Sequence, residues 1–141
     1  MRKGIEGQMK MVLWLLISVG IAMGAYVRLA PSDPTRWHVA PEGLDRDFRN
    51  GVVRVVEAAP EAMEQLDHIA RSTPCTTVLA GSIEEGMITY VIRSMVFGFP
   101  DYTTVQHDGD KLRIYARSRF GRKDFGVNRQ RVTHWLALLQ P

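Results

Sequence analysis

Residues 111–139 read KLRIYARSRFGRKDFGVNRQRVTHWLALL, and across them the side-chain period changes from two to that of a helix over one basic, glycine-containing loop. Leu112, Ile114 and Ala116 fall on one face of the first part, and Lys111, Arg113, Tyr115, Arg117 and Arg119 on the other. This alternation predicts a strand with one dry face and one cationic face. After Asp124, the residues Phe125, Asn128, Val132, Trp135, Leu136 and Leu139 project within about 100° of one another on a helical wheel, the width of a core-facing stripe. A helix docked through that stripe follows. Asp124 stands where a carboxylate accepts hydrogen bonds from the free N–H groups of a helix start, and its charge suits the positive end of the helix. Asn128 falls inside the apolar stripe, where an amide has to be hydrogen-bonded, and is expected to tie the loop before it to the helix.

Working back from Lys111, Asp108-Gly109 is a hairpin signal that closes a strand over 102–107. Gly98 and Pro100 end a long strand expected over 87–97, and Glu84-Glu85-Gly86 separates it from another over 76–80. Pro74 ends a helix that starts at Pro60-Glu61 and carries Ala62, Met63, Leu66, Ile69 and Ala70 on one face. On its other face Glu64 with His68, and Asp67 with Arg71, are i,i+4 pairs that read as solvated decoration. Asn50-Gly51 is a turn signal before VVRVVE, residues 52–57, the first strand. The order β-α-β-β-β-β-α predicts the α+β class: a five-stranded, mostly antiparallel sheet with both helices on one face.

Upstream, Met11 to Val27 carry no charge over seventeen positions, roughly 26 Å of helix and just enough to span a bilayer. Lys10 and Arg28 flank the run, and Trp14 and Tyr26 sit near where interfacial aromatics belong. A buried helix would need a polar face, and Ala22-Met23-Gly24 is a poor cleavage site, so an uncleaved anchor is favoured over a signal peptide. Arg2, Lys3 and Lys10 precede the span, which by the positive-inside rule puts the N-terminus in the cytoplasm of a bacterial cell. The expected organisation is a cytoplasmic N-terminus over 1–10, a single-pass inner-membrane anchor over 11–29, a tether over 30–50 and a periplasmic domain over 51–141. Trp37 in the tether could rest in the headgroup layer or against the domain. Gly20 and Gly24 form a GxxxG pair along which a membrane-protein partner could approach, beside the bilayer itself.

Composition excludes several classes. Of the net charge of +3, the first thirty residues hold four basic residues against one acid, leaving fourteen of each afterwards. The domain is therefore neutral overall, although eight Lys and Arg stand against Asp124 alone between 111 and 131. Neutrality, with no recurring aromatics on the basic face, argues against nucleic acid as a partner. Cys75, the one cysteine, excludes an intrachain disulfide and reads as a small buried side chain. His38, His68, His107 and His134 are scattered with no metal-ligand spacing; His107 with Asp108 and Asp110 is better explained by the hairpin. Ser118 lies in no nucleophile elbow and no glycine-rich phosphate loop follows a strand. No catalytic, cofactor or metal residues are assigned.

The run ARSRFGRKDFGVNRQRV, Ala116 to Val132, resembles the signature RSxSRxGxxDxGVNRxRI of the domain-of-unknown-function family numbered 1499. Arg117-Ser118-Arg119, Gly121, Asp124, Gly126, Val127, Asn128, Arg129 and Arg131 fill its places. The upstream Glu57-Ala58-Ala59-Pro60-Glu61 and Phe99-Pro100-Asp101 extend the likeness over about residues 51–139. The single serine of Arg117-Ser118-Arg119 departs from a longer serine-containing run. The resemblance implies a small α+β domain, often attached to a bacterial membrane, and brings no activity.

Arg117, Arg119, Arg122, Arg129 and Arg131 are the candidate anion or partner site, because guanidinium forks pair with phosphate and carboxylate. The competing reading pairs them structurally with Asp101, Asp124 and Glu84-Glu85. The expected role is that of a non-enzymatic accessory or assembly protein of an inner-membrane complex. A periplasmic lipid or amphiphile binding module, using a cavity between sheet and helices, is the alternative, and an enzyme of unknown type is a second. The sequence sets no oligomeric state.

Overall fold

The structure is a computed structural model that describes residues 2–139. It divides into a unit ending at Pro31 and a second unit from Ser32 onward. The first is one helix, α1 (Arg2–Leu29), about 42 Å long at 1.5 Å per residue. Gly4–Leu29, with a mean hydropathy of 1.9 in its most apolar window, is long and apolar enough to cross a membrane. A methyl group added at Gly20 or Gly24 would meet nothing, so that side of the helix is open.

The second unit holds α2 (Pro34–Trp37), β1 (Arg46–Phe48), β2 (Gly51–Glu57), α3 (Ala62–Ser72), β3 (Thr76–Ser82), β4 (Met87–Arg93), β5 (Pro100–Asp108), β6 (Lys111–Ser118) and α4 (Val127–Leu139). Its sheet is α+β as expected and antiparallel throughout, but it has six strands, in the order β1-β2-β6-β5-β4-β3. The expected count of five is corrected by β1. Arg46-Asp47-Phe48 is too short to alternate visibly, and Arg49-Asn50 is the hairpin turn joining it to β2, with Phe48 opposite Gly51.

Helices α3 and α4 cover one face. Their side chains meet Val52, Ile88, Tyr90, Ile92, Val105, Leu112, Ile114 and Ala116 in a single core. Trp135, fully buried, is its largest member. The ring stands edge-on to Tyr90 at 6.0 Å, and its Nε1 donates to Thr73 Oγ1 at 2.9 Å, so the indole has both the apolar surroundings and the acceptor that burial demands.

The other face is covered by the segment expected to be a tether. Trp37 stacks on Tyr102 with centroids 4.0 Å apart and planes 10° from parallel. His38 Nδ1 lies 2.8 Å from Thr89 Oγ1, Gly43 O accepts from Arg113, and Asp45 accepts from Val55 N. Residues 32–45 thus form a strap laid across the sheet. A methyl group at Gly81, which has φ 85°, would run into the Met87 carbonyl and the His38 ring.

Four further expectations are corrected. Strand β4 stops at Arg93, because residues 94–99 close a loop of their own. Phe125 lies outside the core stripe: α4 starts at Val127, Phe125 takes φ 54°, and it is 89% exposed. Cys75 is exposed, in a turn with φ 58°. Asp67 is buried, accepting from Tyr90 Oη at 2.8 Å and from Arg71; burial and this carboxylate push the Tyr90 hydroxyl well above its ordinary value.

Trp135→Ala is expected to lower the unfolding free energy by about 3–5 kcal/mol, the usual range for emptying a core aromatic site. Cys75→Ser should stay within about 0.5 kcal/mol of the parent, as exposed substitutions do. Urea denaturation followed by circular dichroism measures both.

Candidate functional site

The motif residues gather where β5 begins and β6 ends. Alternation along β6 sends Arg117 to the strap face and Ser118 to the helix face. On the helix face four side chains close a ring. Ser118 Oγ donates to Asp101 Oδ1 at 2.6 Å, and Asn128 Nδ2 donates to Ser118 Oγ at 3.0 Å. Arg131 then donates through Nη1 to Asn128 Oδ1 at 2.8 Å and through Nη2 to Asp101 Oδ2 at 2.9 Å. Asn128 is fully buried, and the side chains of Arg131 and Asp101 are 13% and 14% exposed. The ring satisfies both ends of the amide and both carboxylate oxygens, the condition under which polar groups are tolerated in a core. Asp124 accepts from the backbone N–H groups of Gly126 at 2.9 Å and Asn128 at 3.2 Å, while its own N–H donates to Arg49 O. Asp124 and Asn128 together tie the β6–α4 loop to the helix.

On the strap face Arg117 is 5% exposed. Its Nη1 donates to Thr104 Oγ1 at 3.0 Å and Tyr115 O at 3.1 Å, and its Nη2 donates to Trp37 O. The guanidinium lies 4.2 Å over the Tyr115 ring and 5.6 Å over Trp37. Thr104 bonds Thr89, and Thr89 bonds His38, the residue after Trp37, so a second ring closes through the strap. Burial pulls the Arg117 guanidinium down to about 10, which leaves it charged at neutral pH.

The five candidate arginines do not converge. Arg131 belongs to the first ring and Arg117 to the second. Arg119 donates to Tyr102 Oη at 3.2 Å and lies 5.1 Å over the Phe120 ring. Arg129 pairs with Asp47 at 3.1 Å, and Asp47 also takes Arg54 at 2.7 Å. Arg122 points into solvent. Of the two places open to Trp37 in the sequence the structure shows the one against the domain, while the part played by His38 has no signal there, since the residue sits among prolines with no period to reveal it. Among the described residues no three His, Cys, Asp or Glu side chains form a cluster able to hold a metal. Hollows that border the fold include a shallow one of about 190 Å³ between β1 and the β6–α4 loop, including Asp47, Lys123 and Arg129, one of about 320 Å³ lined by Val39, Ala40, Arg46 and Tyr115 among others, and an open groove of about 660 Å³ lined by Val56, Ala58, Ala62, Leu136 and Leu139 among others.

Asn128→Ala should destabilise the domain by about 1–3 kcal/mol, the cost of leaving Ser118 and Arg131 with unmet partners. A double-mutant cycle on Asp101 and Arg131 should show coupling of about 0.5–3 kcal/mol. The Asp47 carboxyl is held below its ordinary 3.8 by the Arg54 and Arg129 hydrogen bonds. Its folded value lies below its unfolded one, so its contribution is whole above the unfolded value and is lost as pH falls through the folded one. Hydrogen exchange should show β1 losing protection in strong acid and not near neutrality, and Asp47→Asn should remove that acid step.

No curated protein matches the chain. The model of a family described as protein of unknown function (DUF1499) matches residues 27–139, which takes in both rings and also the strap, well upstream of the segment that carries the sequence resemblance. The chain belongs to that family.

Proposed function

We propose that this is a single-pass membrane protein whose folded domain is a non-enzymatic accessory or assembly module for an inner-membrane complex. The observation that carries this reading is the use made of the motif: Asp101, Ser118, Asn128, Arg131 and Arg117 are bound into two closed rings that hold loops and strap in place. Polar groups so committed act as scaffolding for a contact surface. The apolar length of α1 supports an anchor, and the three basic residues before its uncharged run support an N-terminus in the cytoplasm with the domain in the periplasm. The open side at Gly20 and Gly24 is the proposed face for a neighbouring membrane helix.

Two measurements test it. Cys75 is exposed and is the one thiol, so a membrane-impermeant maleimide should label it in intact spheroplasts; labelling only after lysis overturns the orientation. The protein extracted in mild detergent should elute with a defined membrane partner that is lost on Gly20→Leu with Gly24→Leu. A monomer that elutes alone overturns the assembly role. The groove beside Leu136 and Leu139 supports a second reading, an amphiphile binding module, for which native mass spectrometry should detect a bound lipid that Ala62→Trp displaces.

A further inference from the structure

Between β4 and β5 the chain reads SMVFGF over residues 94–99, and this loop is closed on itself. Ser94 N donates to Phe99 O at 2.9 Å, Gly98 N donates to Ser94 O at 2.9 Å, and Phe99 N donates to Ser94 Oγ at 3.0 Å. Arg93 Nη1 donates to Gly98 O at 3.0 Å. These bonds pair the backbone at the root of the loop, at Ser94, Gly98 and Phe99, and hold the tip in place. Its side chains are left outside: Met95, Val96 and Phe97 are 78%, 74% and 66% exposed. They are continuous with an aromatic row, since Phe97 lies 5.9 Å from Phe99 and Phe99 lies 6.2 Å from Phe120 in the β6–α4 loop. That second loop also carries Arg122 and Lys123, both exposed. The neighbouring acids, Asp101 and Asp124, are occupied by Ser118 with Arg131 and by backbone N–H groups.

The same end of the sheet receives the start of the domain. Ser32 Oγ lies 2.8 Å from Tyr102 Oη, which also accepts from Arg119. The apolar helix ends at Leu29, three positions earlier in the sequence.

We propose that the 94–99 loop is a membrane-contact wedge, placing Met95, Val96 and Phe97 among lipid acyl chains while Arg122 and Lys123 meet anionic headgroups. The proposal rests on the reading of the chain as membrane-anchored. Consecutive exposed apolar side chains, joined by an aromatic row to a loop that carries exposed Arg122 and Lys123, are the pattern of an interfacial contact. The basic loop that meets this row through Phe120 matches an acidic lipid surface.

The test uses the full chain in lipid nanodiscs, with Cys75→Ser and a single environment-sensitive fluorophore at Val96→Cys. A control carries the fluorophore at Glu85→Cys, in the turn at the opposite end of the sheet. With phosphatidylglycerol present, the label at 96 should shift to the blue and be quenched by spin-labelled acyl chains, while the label at 85 stays water-like. Arg122→Gln and Lys123→Gln should each lower the ratio of inserted to free tip about fivefold, the effect of one basic residue at an anionic surface. A label at 96 as water-like as that at 85 overturns the wedge. If it shifts only when solubilised inner-membrane proteins are added, the wedge is overturned in favour of a protein contact and the accessory reading stands. Failure of the chain to enter nanodiscs at all overturns the anchor and the wedge together.

Discussion

The end of β6 sends two consecutive side chains, Arg117 and Ser118, through opposite faces of one sheet, and the arrangement on each face depends on that step. Pairing fixes it from both sides: Ala116 lies opposite Val52 on β2 and Thr103 on β5, and Arg117 lies opposite Gly51 and Tyr102. A methyl group at Gly51 would strike the Ala116 carbonyl, so the close approach of the two strands needs glycine there. A slip of one residue would exchange the faces. Arg117 would then enter the apolar core under α4, Ser118 would lose Asp101 and Asn128, and both rings would open together.

Arg117 makes the strap face energetically delicate. Taking a charge out of water costs several kcal/mol even after relaxation, and here there is no carboxylate against it among its described partners. Three hydrogen bonds from a charged donor, at about 1.5–3 kcal/mol each, offset a cost of that size without a clear surplus. The surplus comes from the flat stack of Trp37 on Tyr102 and from the two ring faces that the guanidinium covers. Nη2 donates to the strap carbonyl of Trp37, so seating the strap and burying the arginine are one event. Residues that read as a linker are for this reason integral to the domain.

The antiparallel run of β3 through β6, the two helices on one face and the caps at Asp124 and Asn128 are legible, because each rests on local signals: period, a hairpin dipeptide, or a polar residue at a fixed helical offset. What escaped depends on contacts distant in sequence. Trp37 meets Tyr102 across 65 positions, and Arg46-Asp47-Phe48 becomes a strand only because β2 offers it a free edge. Phe125 departs from the helical stripe for a different reason. The helical wheel assumes a helix already running, whereas the left-handed turn at Phe125 and Gly126 comes first and throws the ring outward. The arginine-rich run read as one patch because sequence cannot separate the faces of a strand from the sides of the helix that follows it. In three dimensions its members go to two rings, an ion pair with Asp47, a contact with Tyr102, and solvent.

The two rings also bear on what kind of work the domain is built for. The helix-face ring fastens the roots of two loops, since Asp101 follows the 94–99 loop after Pro100 and Ser118 with Asn128 brackets the 119–127 segment, while the strap-face ring fastens the strap. A loop held at its root and bonded within itself has little conformational freedom left to lose on contact, so less of the contact energy goes into ordering it. Catalytic loops more often keep freedom to close over a substrate. Side chains that could have supplied polar chemistry instead stiffen the base of an apolar tip, and on the proposed reading that stiffness is the functional property: a surface presented ready-made to whatever lies against it.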